Sequence, residues 1–496
     1  MTTFAAVDLG AQSGRVAVGR FDGERLETTE IHRFANVPVR LGETLHWDIL
    51  GLYREVLDGL RAAAAHGIPI ASVGVDSWAI DFGLVDRAGR LLRNPVHYRD
   101  ARRASAVDGV LERISARELY DRTGIQLLPI NTIFELAAMA GESDPVLEAA
   151  NSVLLIPDLM HSWLCGARTS ERTNASTTQC FDPRARAWAD DLVERLDVPA
   201  RLLPEVVEPG TRLGVLEGVV AEETHLGGAE VVAVATHDTA SAVAAVPFRR
   251  PDSVFVSMGT WSLVGLEVKE PVITDASYAA NVTNEGGVDG TVRLLRNVNG
   301  LWMLHECRRV WADEGADYGF DELVALANDA PGFGALVDPN DPAFIEPGDM
   351  PARIRAFCAS TGQTPPSDAG ATARCILESL ALKHAETIET LAAVTGASPA
   401  EIHIVGGGAQ NELLCRWTAC ASGLPVLAGP AEATVLGNLL VQAMAAGEIS
   451  SLGEGREVVR ASVAPSSYEP DERPEWDQAR ERFAAIVAGR SLEVSA

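Results

Sequence analysis

The spacing of apolar and polar residues along the chain predicts a succession of short strands and helices. An apolar run at residues 4–7 is followed by a turn-rich stretch at 8–15 and a second apolar run at 16–18. This order is typical of a strand, a small-residue turn and a second strand. Residues 253–264 repeat the same order about half a chain later. The repeat indicates a duplicated domain, although turn chemistry alone also produces pairs of hairpins.

Other stretches predict further strands and the helices between them. Apolar runs at 72–75 and 231–235 each lead to a polar segment that contains an aspartate. Asp48 is a residue type that caps helices, and apolar residues recur at helical spacing after it. Residues 371–395 predict a longer helix that ends before Gly396. Alternating strands and helices predict an α/β fold.

The length of 496 residues is too great for one ordinary hydrophobic core. Two large domains are therefore expected, and the boundary is predicted near the prolines at 247 and 251, just before the second hairpin. The predicted domains are residues 1–247 and residues 248–496.

Composition narrows the class of protein. The 69 acidic and 41 basic residues give a formal net charge of −28, which repels nucleic acids and anionic membranes. The N-terminal residues lack the pattern of a signal peptide, and no apolar run approaches the length of a membrane span, so a cytoplasmic protein is expected. The seven cysteines contain no Cys-x-x-Cys pair, so neither a disulfide framework nor a zinc site is expected.

The candidate chemistry is phosphate binding without a Walker-A loop, a motif that the sequence does not contain. Tight turns at 10–15 and 259–262 combine glycine with hydroxyl residues, and their converging backbone N–H groups could hold phosphates. Asp8 precedes the first turn, where it is either an ordinary turn residue or a Mg²⁺ ligand acting through water. Three glycines at 406–408 follow an apolar strand. They form either a flat surface that accepts adenine and ribose or a flexible turn.

Asp238 lies where a predicted strand ends and a helix begins. An acidic residue there is favoured by the free N–H groups of the first helical turn. The same position also suits a general base that takes the proton of a hydroxyl attacking a phosphate. His237 beside it could bond a sugar, or it could be a structural histidine.

Taken together, these stretches resemble the FGGY carbohydrate kinases. The resemblance covers the whole chain and is carried by the segments DLGAQSGRV (8–16), VGVDSWAIDF (73–82), PVHYRDAR (95–102), GIQLLPINT (124–132), TNASTTQ (173–179), VATHDTASAV (234–243), SMGTWSL (257–263), NVTNEGG (281–287), RNVNGLW (296–302), IVGGGAQN (404–411) and GPAEATVLGN (429–438). It implies two ribonuclease-H-like domains of the actin-like ATPase kind around a cleft. It also implies transfer of a phosphoryl group from ATP to the C1 hydroxyl of L-rhamnulose.

The resemblance also implies roles for single residues. Asp238 matches the proton acceptor. Asp8, from its position at the end of a strand and not from the resemblance, is expected to hold Mg²⁺ through water. The positions that match sugar contacts are Ala79, His237, Asp238, Thr239 and Asn297. The positions that match ATP contacts are Ala11, Gln12, Ser13, Gly14, Arg15, Thr260, His305 and Gly407.

Two positions depart from the family's pattern. Ala79 stands where the sugar-contacting position has glycine, and His305 stands where glutamine is expected. An extra methyl group in a sugar pocket changes discrimination by about 1–3 kcal/mol, which could shift preference to another ketose such as L-fuculose or a ketopentose. An inactive sugar sensor and an ATPase of the actin or chaperone kind are the alternatives on this fold. Asp8, Thr260 and Asp238 together disfavour the sensor, and His237 and Asn297 disfavour the ATPase. The sequence does not indicate an oligomeric state.

Overall fold

A computed structural model of the protein describes residues 1–471 and 474–494. In the described residues the chain forms two compact units. The first comprises Met1–Pro247, Glu267–Leu295 and Glu432–Ala464, and the second comprises Phe248–Leu266, Arg296–Ala431 and Pro465–Ala496. The second half of the chain contributes segments to both units. The domain bounds 1–247 and 248–496 therefore stay a prediction.

Strands are distributed over the whole described chain. They are β1 (Thr2–Leu9), β2 (Ser13–Phe21), β3 (Leu26–Ala35), β4 (Val39–Leu41), β5 (Thr44–His46), β6 (Ser72–Ser77), β7 (Phe82–Val85), β8 (Leu91–Arg93), β9 (Ser152–Leu155), β10 (Ser170–Glu171), β11 (Phe181–Asp182), β12 (Ala187–Trp188), β13 (Val206–Val207), β14 (Thr211–Val215), β15 (Glu230–Ala233), β16 (Ser253–Met258), β17 (Trp261–Val268), β18 (Thr283–Gly286), β19 (Val292–Asn299), β20 (Glu401–Val405), β21 (Val426–Ala428) and β22 (Ser466–Tyr468).

Helices alternate with these strands. They are α1 (Ile49–Ala65), α2 (Ala101–Arg113), α3 (Ala116–Thr123), α4 (Thr132–Gly141), α5 (Pro145–Ala149), α6 (Ile156–Cys165), α7 (Arg172–Ala175), α8 (Asp190–Glu194), α9 (Gly218–Thr224), α10 (Asp238–Ala244), α11 (Asp275–Ala279), α12 (Trp302–Asp313), α13 (Phe320–Asp329), α14 (Met350–Ser360), α15 (Ala369–Thr395), α16 (Glu412–Ser422), α17 (Ala433–Ala445), α18 (Leu452–Ser462) and α19 (Pro474–Val494). The mixture confirms the predicted α/β class.

The first unit is built on a sheet with the strand order β14-β15-β6-β1-β2-β3. Strands β1, β2 and β3 are antiparallel neighbours, whereas β1, β6 and β15 run parallel. Val16 of β2 packs against α1, and Gly19 of the same strand packs against α17. Because side chains alternate along a strand, these two contacts lie on opposite faces of the sheet. Helices on both faces explain why β1 and β6 are almost entirely buried.

The second unit contains the neighbouring strands β17, β16, β20, β21 and β22. The β16–β17 hairpin is the one predicted at 253–264, and β20 runs parallel to β16. The long helix α15 packs against α13 and α16. All seven cysteines of the chain are free thiols.

Two predicted helix ends are confirmed. The side chain of Asp48 accepts a hydrogen bond from the amide of Gly51, as an N-cap does. Gly396 follows α15 in the left-handed conformation, with φ of 72°. Both signals depend only on neighbouring residues, which is why the sequence pattern was sufficient.

Candidate active site

Three carboxylates lie at one edge of the sheet in the first unit. Asp8 near the end of β1 is the register partner of Asp76 near the end of β6. Asp238 is the first residue of α10, and His237 before it forms a parallel bridge with Ser77. The carboxyl ends of parallel strands meet at one edge, which is where α/β sheets place ligands. Burial, followed by the charges of Asp8 and Asp238, raises the pKa of Asp76 well above its ordinary value.

The Asp238 carboxylate has contacts at Oδ1 and is partly open to solvent. The Thr239 hydroxyl donates to Oδ1 at 3.1 Å, and Nε2 of His237 lies 3.4 Å from the same oxygen. The side chain is 30% exposed, so a ligand can reach the carboxylate. Burial raises the pKa of Asp238; the nearby His237 lowers it, and the charge of Asp8 raises it further. A carboxylate with a raised pKa is a stronger proton acceptor.

Arg15 holds two acidic side chains next to the first turn. Its Nη2 lies 2.7 Å from Oδ2 of Asp8, and Nε donates to the same oxygen at 2.9 Å. Its Nη1 forms an ion pair with Glu432, the residue just before α17. The guanidinium is only 15% exposed. Arg15 thus places a fixed positive charge beside the turn and neutralises part of the acidic cluster.

The turn between β1 and β2 is fixed through its carbonyl groups. The amide of Gly10 donates to the carbonyl of Ser13 at 2.9 Å. Asn36 donates from Nδ2 to the carbonyl of Gly10 and from its amide to that of Gln12, each at 2.9 Å. In the part of the chain that the structure describes, no hydrogen bond uses the amides of Ala11 and Gln12. A rigid turn with free N–H groups is suited to phosphate oxygens.

Ala79 lies in a turn that a buried carboxylate supports. Both Trp47 and Trp78 donate from their indole Nε1 to Oδ2 of Asp81, at 2.6 and 3.0 Å. The guanidinium of Arg103 forms an ion pair with the other oxygen of Asp81. Asp81 and Arg103 are almost completely buried, whereas Ala79 is partly exposed. The turn that carries Ala79 is therefore held through both carboxylate oxygens of Asp81.

The segment at 124–132 holds the same turn from a second side. Ile80 has a positive φ of 67°, which a β-branched residue rarely adopts. Its carbonyl accepts a hydrogen bond from the Thr132 hydroxyl at 2.7 Å. The backbone strain at Ile80 is therefore maintained by a residue about fifty positions later in the chain.

The second phosphate turn lies in the second unit. The amide of Gly259 donates to the carbonyl of Trp261 at 2.8 Å, which closes the β16–β17 hairpin. The carbonyl of Thr260 accepts from the amide of Trp302 at 3.1 Å, at the start of α12. Thr260 is partly exposed.

The three consecutive glycines have different structural requirements. Gly406 has a positive φ of 83°, and a Cβ at Gly408 would lie 2.3 Å from Cγ of Met258. A Cβ at Gly407 would have no atom within 4 Å, and the residue is exposed. The fold therefore requires glycine at 406 and 408 but not at 407. The open space above Gly407 is available to a ligand. Residues 407–410 form a short 3-10 helix, and α16 begins at Glu412.

The remaining predicted residues also lie in the second unit. His305 is in α12, its ring centroid 5.8 Å from that of Phe320, and burial lowers its pKa to about 4. It is thus neutral at physiological pH. Asn297 is in β19, and its carbonyl accepts from Nδ2 of Asn340 at 3.3 Å. The first unit thus brings together Asp8, Ala11–Arg15, Ala79 and His237–Thr239, and the second carries Asn297, Thr260, His305 and Gly407.

Several site residues were missed by the sequence reasoning. Asp76, Asp81 and Glu285 belong to recognised motifs, whereas Arg103 and Arg293 lie outside them, and no local pattern indicated how these residues pair. They are Asp76 beside Asp8, Asp81 with Arg103 beneath the Ala79 turn, and Glu285 with Arg293 beside His237.

The residues of this edge fit Mg²⁺ bound together with a phosphate. Mg²⁺ is usually held by one or two carboxylates plus substrate phosphate oxygens and water. Asp8 uses Oδ2 for Arg15, and Oδ1 of Asp76 is buried without a hydrogen-bond partner. Within residues 1–471 and 474–494, no group of three or more His, Cys, Asp or Glu side chains could hold a metal ion. The protein therefore offers single carboxylates rather than a metal cage.

Solved structures define the class of protein by its fold. The chain is similar to a xylulose kinase from Lactobacillus acidophilus, with a TM-score of 0.81 and 16% identity over 100% of this chain and 99% of that one. It is also similar to a glycerol kinase from Plasmodium falciparum with ADP, with a TM-score of 0.77 and 14% identity over 99% and 98% of the two chains. The predicted actin-like ATPase fold of the sugar kinases is confirmed.

Sequence comparison then defines the family. The N-terminal and C-terminal domains of the FGGY family of carbohydrate kinases match residues 3–245 and 254–446. A rhamnulokinase of Bacteroides thetaiotaomicron is 41% identical over 98% of this chain and 99% of its own length. A rhamnulokinase of Enterococcus faecalis is 38% identical over 99% and 98%. The chain belongs to the FGGY family of carbohydrate kinases, and it is an ATP-dependent sugar kinase.

Among the helices of the described residues, none has both the length and the apolar character needed to cross a membrane.

Proposed function

We propose that this chain transfers the terminal phosphoryl group of ATP to the C1 hydroxyl of L-rhamnulose, giving L-rhamnulose 1-phosphate in L-rhamnose catabolism. Full-length similarity to several rhamnulokinases at 37–41% identity supports the substrate. The observation that carries the reaction is the Asp238 carboxylate, whose side chain is 30% exposed and whose pKa is raised.

The proposal gives each candidate residue a role. Asp238 is the catalytic base, and Asp8 contacts Mg²⁺ through water. The sugar is bound by Ala79, His237, Asp238, Thr239 and Asn297. ATP is bound by Ala11, Gln12, Ser13, Gly14, Arg15, Thr260, His305 and Gly407. Residues 1–247 form the sugar-binding domain and residues 248–496 the nucleotide-binding domain. The protein acts in the cytoplasm without nucleic acid or membrane partners.

The chemistry follows from these positions. Oδ2 of Asp238 accepts the proton of the C1 hydroxyl as its oxygen forms a bond to the γ-phosphorus. The bond between the γ-phosphorus and the β–γ bridging oxygen breaks, and ADP leaves. The turn amides and Arg15 stabilise the negative charge on the phosphates. Mg²⁺, when bound, neutralises charge on the transferred phosphoryl group.

A kinase for another ketose is the second candidate, and Ala79 favours it. The methyl group of Ala79 occupies volume that glycine would leave to the sugar, so L-fuculose or a ketopentose could be preferred. An inactive sugar sensor on the same fold is the third candidate. The site retains Asp8, Thr260 and Asp238, which a sensor does not need.

A coupled ADP assay against a panel of ketoses, with and without Mg²⁺, tests the proposal. L-rhamnulose should give the highest kcat/KM, and removing Mg²⁺ should abolish turnover. A higher kcat/KM for another ketose would transfer the assignment to that sugar, and no turnover with any sugar would favour the sensor.

The role of Asp238 is tested by Asp238→Asn. This variant should fold and bind sugar, but kcat should fall roughly 10²–10⁴-fold because the base is lost. Asp22→Asn, which changes an exposed turn aspartate, is the matched control and should keep normal kcat. Near-normal turnover of Asp238→Asn would disprove the assignment of the base.

A further inference from the structure

The β18–β19 hairpin places a buried ion pair beside His237. Glu285 and Arg293 are cross-strand partners, and Nη1 of Arg293 lies 3.1 Å from Oε2 of Glu285. Arg293 is fully buried, and its Nε donates to the carbonyl of Gly286 at 2.9 Å. Nη2 of Arg293 lies 3.0 Å from Nδ1 of His237. Glu285 belongs to the segment NVTNEGG, for which the proposed reaction gives no role.

Stability alone is a weak explanation for this pair. Removing two charges from water is expensive, and apolar side chains of similar volume often stabilise a protein equally well. Both side chains are nearly inaccessible, so they also cannot serve solubility. Their shared neighbour is His237, which is itself 6% exposed. A role in orienting this histidine accounts for both charges.

The contact with Arg293 determines which nitrogen of His237 carries the proton. A guanidinium has only donors, so Nδ1 of His237 must accept the hydrogen bond from Nη2. A neutral imidazole whose Nδ1 is an acceptor carries its proton on Nε2. Nε2 is the nitrogen that lies 3.4 Å from Oδ1 of Asp238.

Glu285 competes for the same nitrogen, because its Oε2 lies 3.3 Å from Nδ1 of His237. A carboxylate would favour a proton on Nδ1. The Arg293 contact is shorter, and a proton on Nδ1 would point at a guanidinium 3.0 Å away. Glu285 therefore acts as the counter-charge of Arg293, and the pair together presents a donor to Nδ1.

We propose that Glu285 and Arg293 are positioning residues that hold His237 as the Nε2–H tautomer, directed at Asp238 and the sugar. The expected effect on kcat rests on the proposed function, whereas the tautomer of His237 does not depend on it. With a proton on Nε2, His237 stabilises Oδ1 of Asp238 together with the Thr239 hydroxyl. Oδ2 then remains the oxygen that receives the substrate proton.

The first test is ¹⁵N NMR of protein labelled at its ten histidines, without ligands and at pH 7.5. Subtracting the spectrum of His237→Gln assigns the His237 signals. The wild type should show a protonated Nε2 and an unprotonated Nδ1. In Arg293→Met, Oε2 of Glu285 becomes the nearest partner of Nδ1, so the proton should move to Nδ1.

A charge-neutral double variant covers the case in which Arg293→Met fails to fold. Arg293→Met with Glu285→Met removes both charges, so no buried charge is left unpaired. His237 should then populate both tautomers. In each folded variant kcat should fall about 10- to 100-fold, a loss like that seen when the hydrogen-bond partner that orients a metal-ligating histidine is removed. KM for the sugar should rise as well.

The matched control is a second Arg–Glu pair of the same unit. Arg456 bonds Glu267 and also the carbonyl of Val243 in α10. Arg456→Met with Glu267→Met should leave the His237 tautomer and kcat unchanged. A wild-type His237 with a proton on Nδ1, or an unchanged tautomer in both variants at 285 and 293, would overturn the inference. A wild type inactive on every ketose but with the expected tautomer would overturn the proposed function instead.

Discussion

Asp76 is a buried carboxylate whose surroundings oppose its ionisation. It is fully inaccessible, and only Oδ2 has a partner, the side-chain amide of Asn438 at 2.6 Å. Asn438 is in turn held by Gln442, which donates to its Oδ1 at 2.7 Å. Because burial raises the pKa of Asp76, the ionised form destabilises the folded chain.

Asp76→Asn should therefore stabilise the protein in metal-free buffer. The expected gain near pH 8 is about 1–3 kcal/mol, since a buried charge with one unpartnered oxygen, Oδ1, is replaced by a neutral group. The folded-state pKa of Asp76 lies above the unfolded one, so the wild type loses stability as pH rises. The gain should thus shrink as pH falls toward about 4, the ordinary aspartate pKa, and vanish below it, where both states hold the proton. Urea unfolding from pH 5 to 8 measures it.

Asp22→Asn is a control in which the change in stability should have the opposite sign. Hydrogen bonds from the amides of Arg25 and Glu24 lower the pKa of Asp22. Its carboxylate stabilises the fold above its unfolded pKa, and this contribution is lost as pH falls. The variant should be slightly less stable at pH 8, with the difference decreasing toward acid. A gain from Asp76→Asn that does not vary with pH would contradict the assignment of a buried charge.

The turn after β20 shows how an element can be fixed by the fold at some positions and left open at others. Gly408→Ala should lower stability by about 1–3 kcal/mol, because the new methyl group would overlap Met258. Gly407→Ala meets no neighbouring atom and should keep normal stability. It should instead raise KM for ATP, because the methyl group occupies space proposed for the nucleotide. Urea unfolding and the coupled assay separate these effects. An unchanged KM for ATP in Gly407→Ala would remove Gly407 from the nucleotide site.

Whole-molecule charge has its own consequence for stability. A net charge of −28 makes the folded chain repel itself, and added salt screens this repulsion. Raising NaCl from 0.05 to 0.5 M should therefore raise the unfolding temperature by about 2 °C or more. KCl should act equally if screening is the cause. An unchanged or lower unfolding temperature would show that screening of favourable ion pairs outweighs the self-repulsion.

Local signals in the sequence determined many elements of this protein. Asp48 caps α1 and Gly396 follows α15 as predicted, because caps depend on a few adjacent residues. The hairpins at β1–β2 and β16–β17 were likewise visible as apolar runs around small-residue turns. The family resemblance, spread over short motifs along the whole chain, was sufficient to predict the fold and the class of reaction.

Only the tertiary structure decided which of those motifs act together. Asp8 and Asp76 are 68 positions apart and meet through the β1–β6 register, which no local pattern encodes. Arg293 reaches His237 only because the β18–β19 hairpin packs there and buries its guanidinium. A carboxylate's proton affinity or a histidine's tautomer depends on such distant neighbours. The sequence by itself therefore determined the elements and the class of chemistry, and the packing of the sheet determined the electrostatics that the chemistry needs.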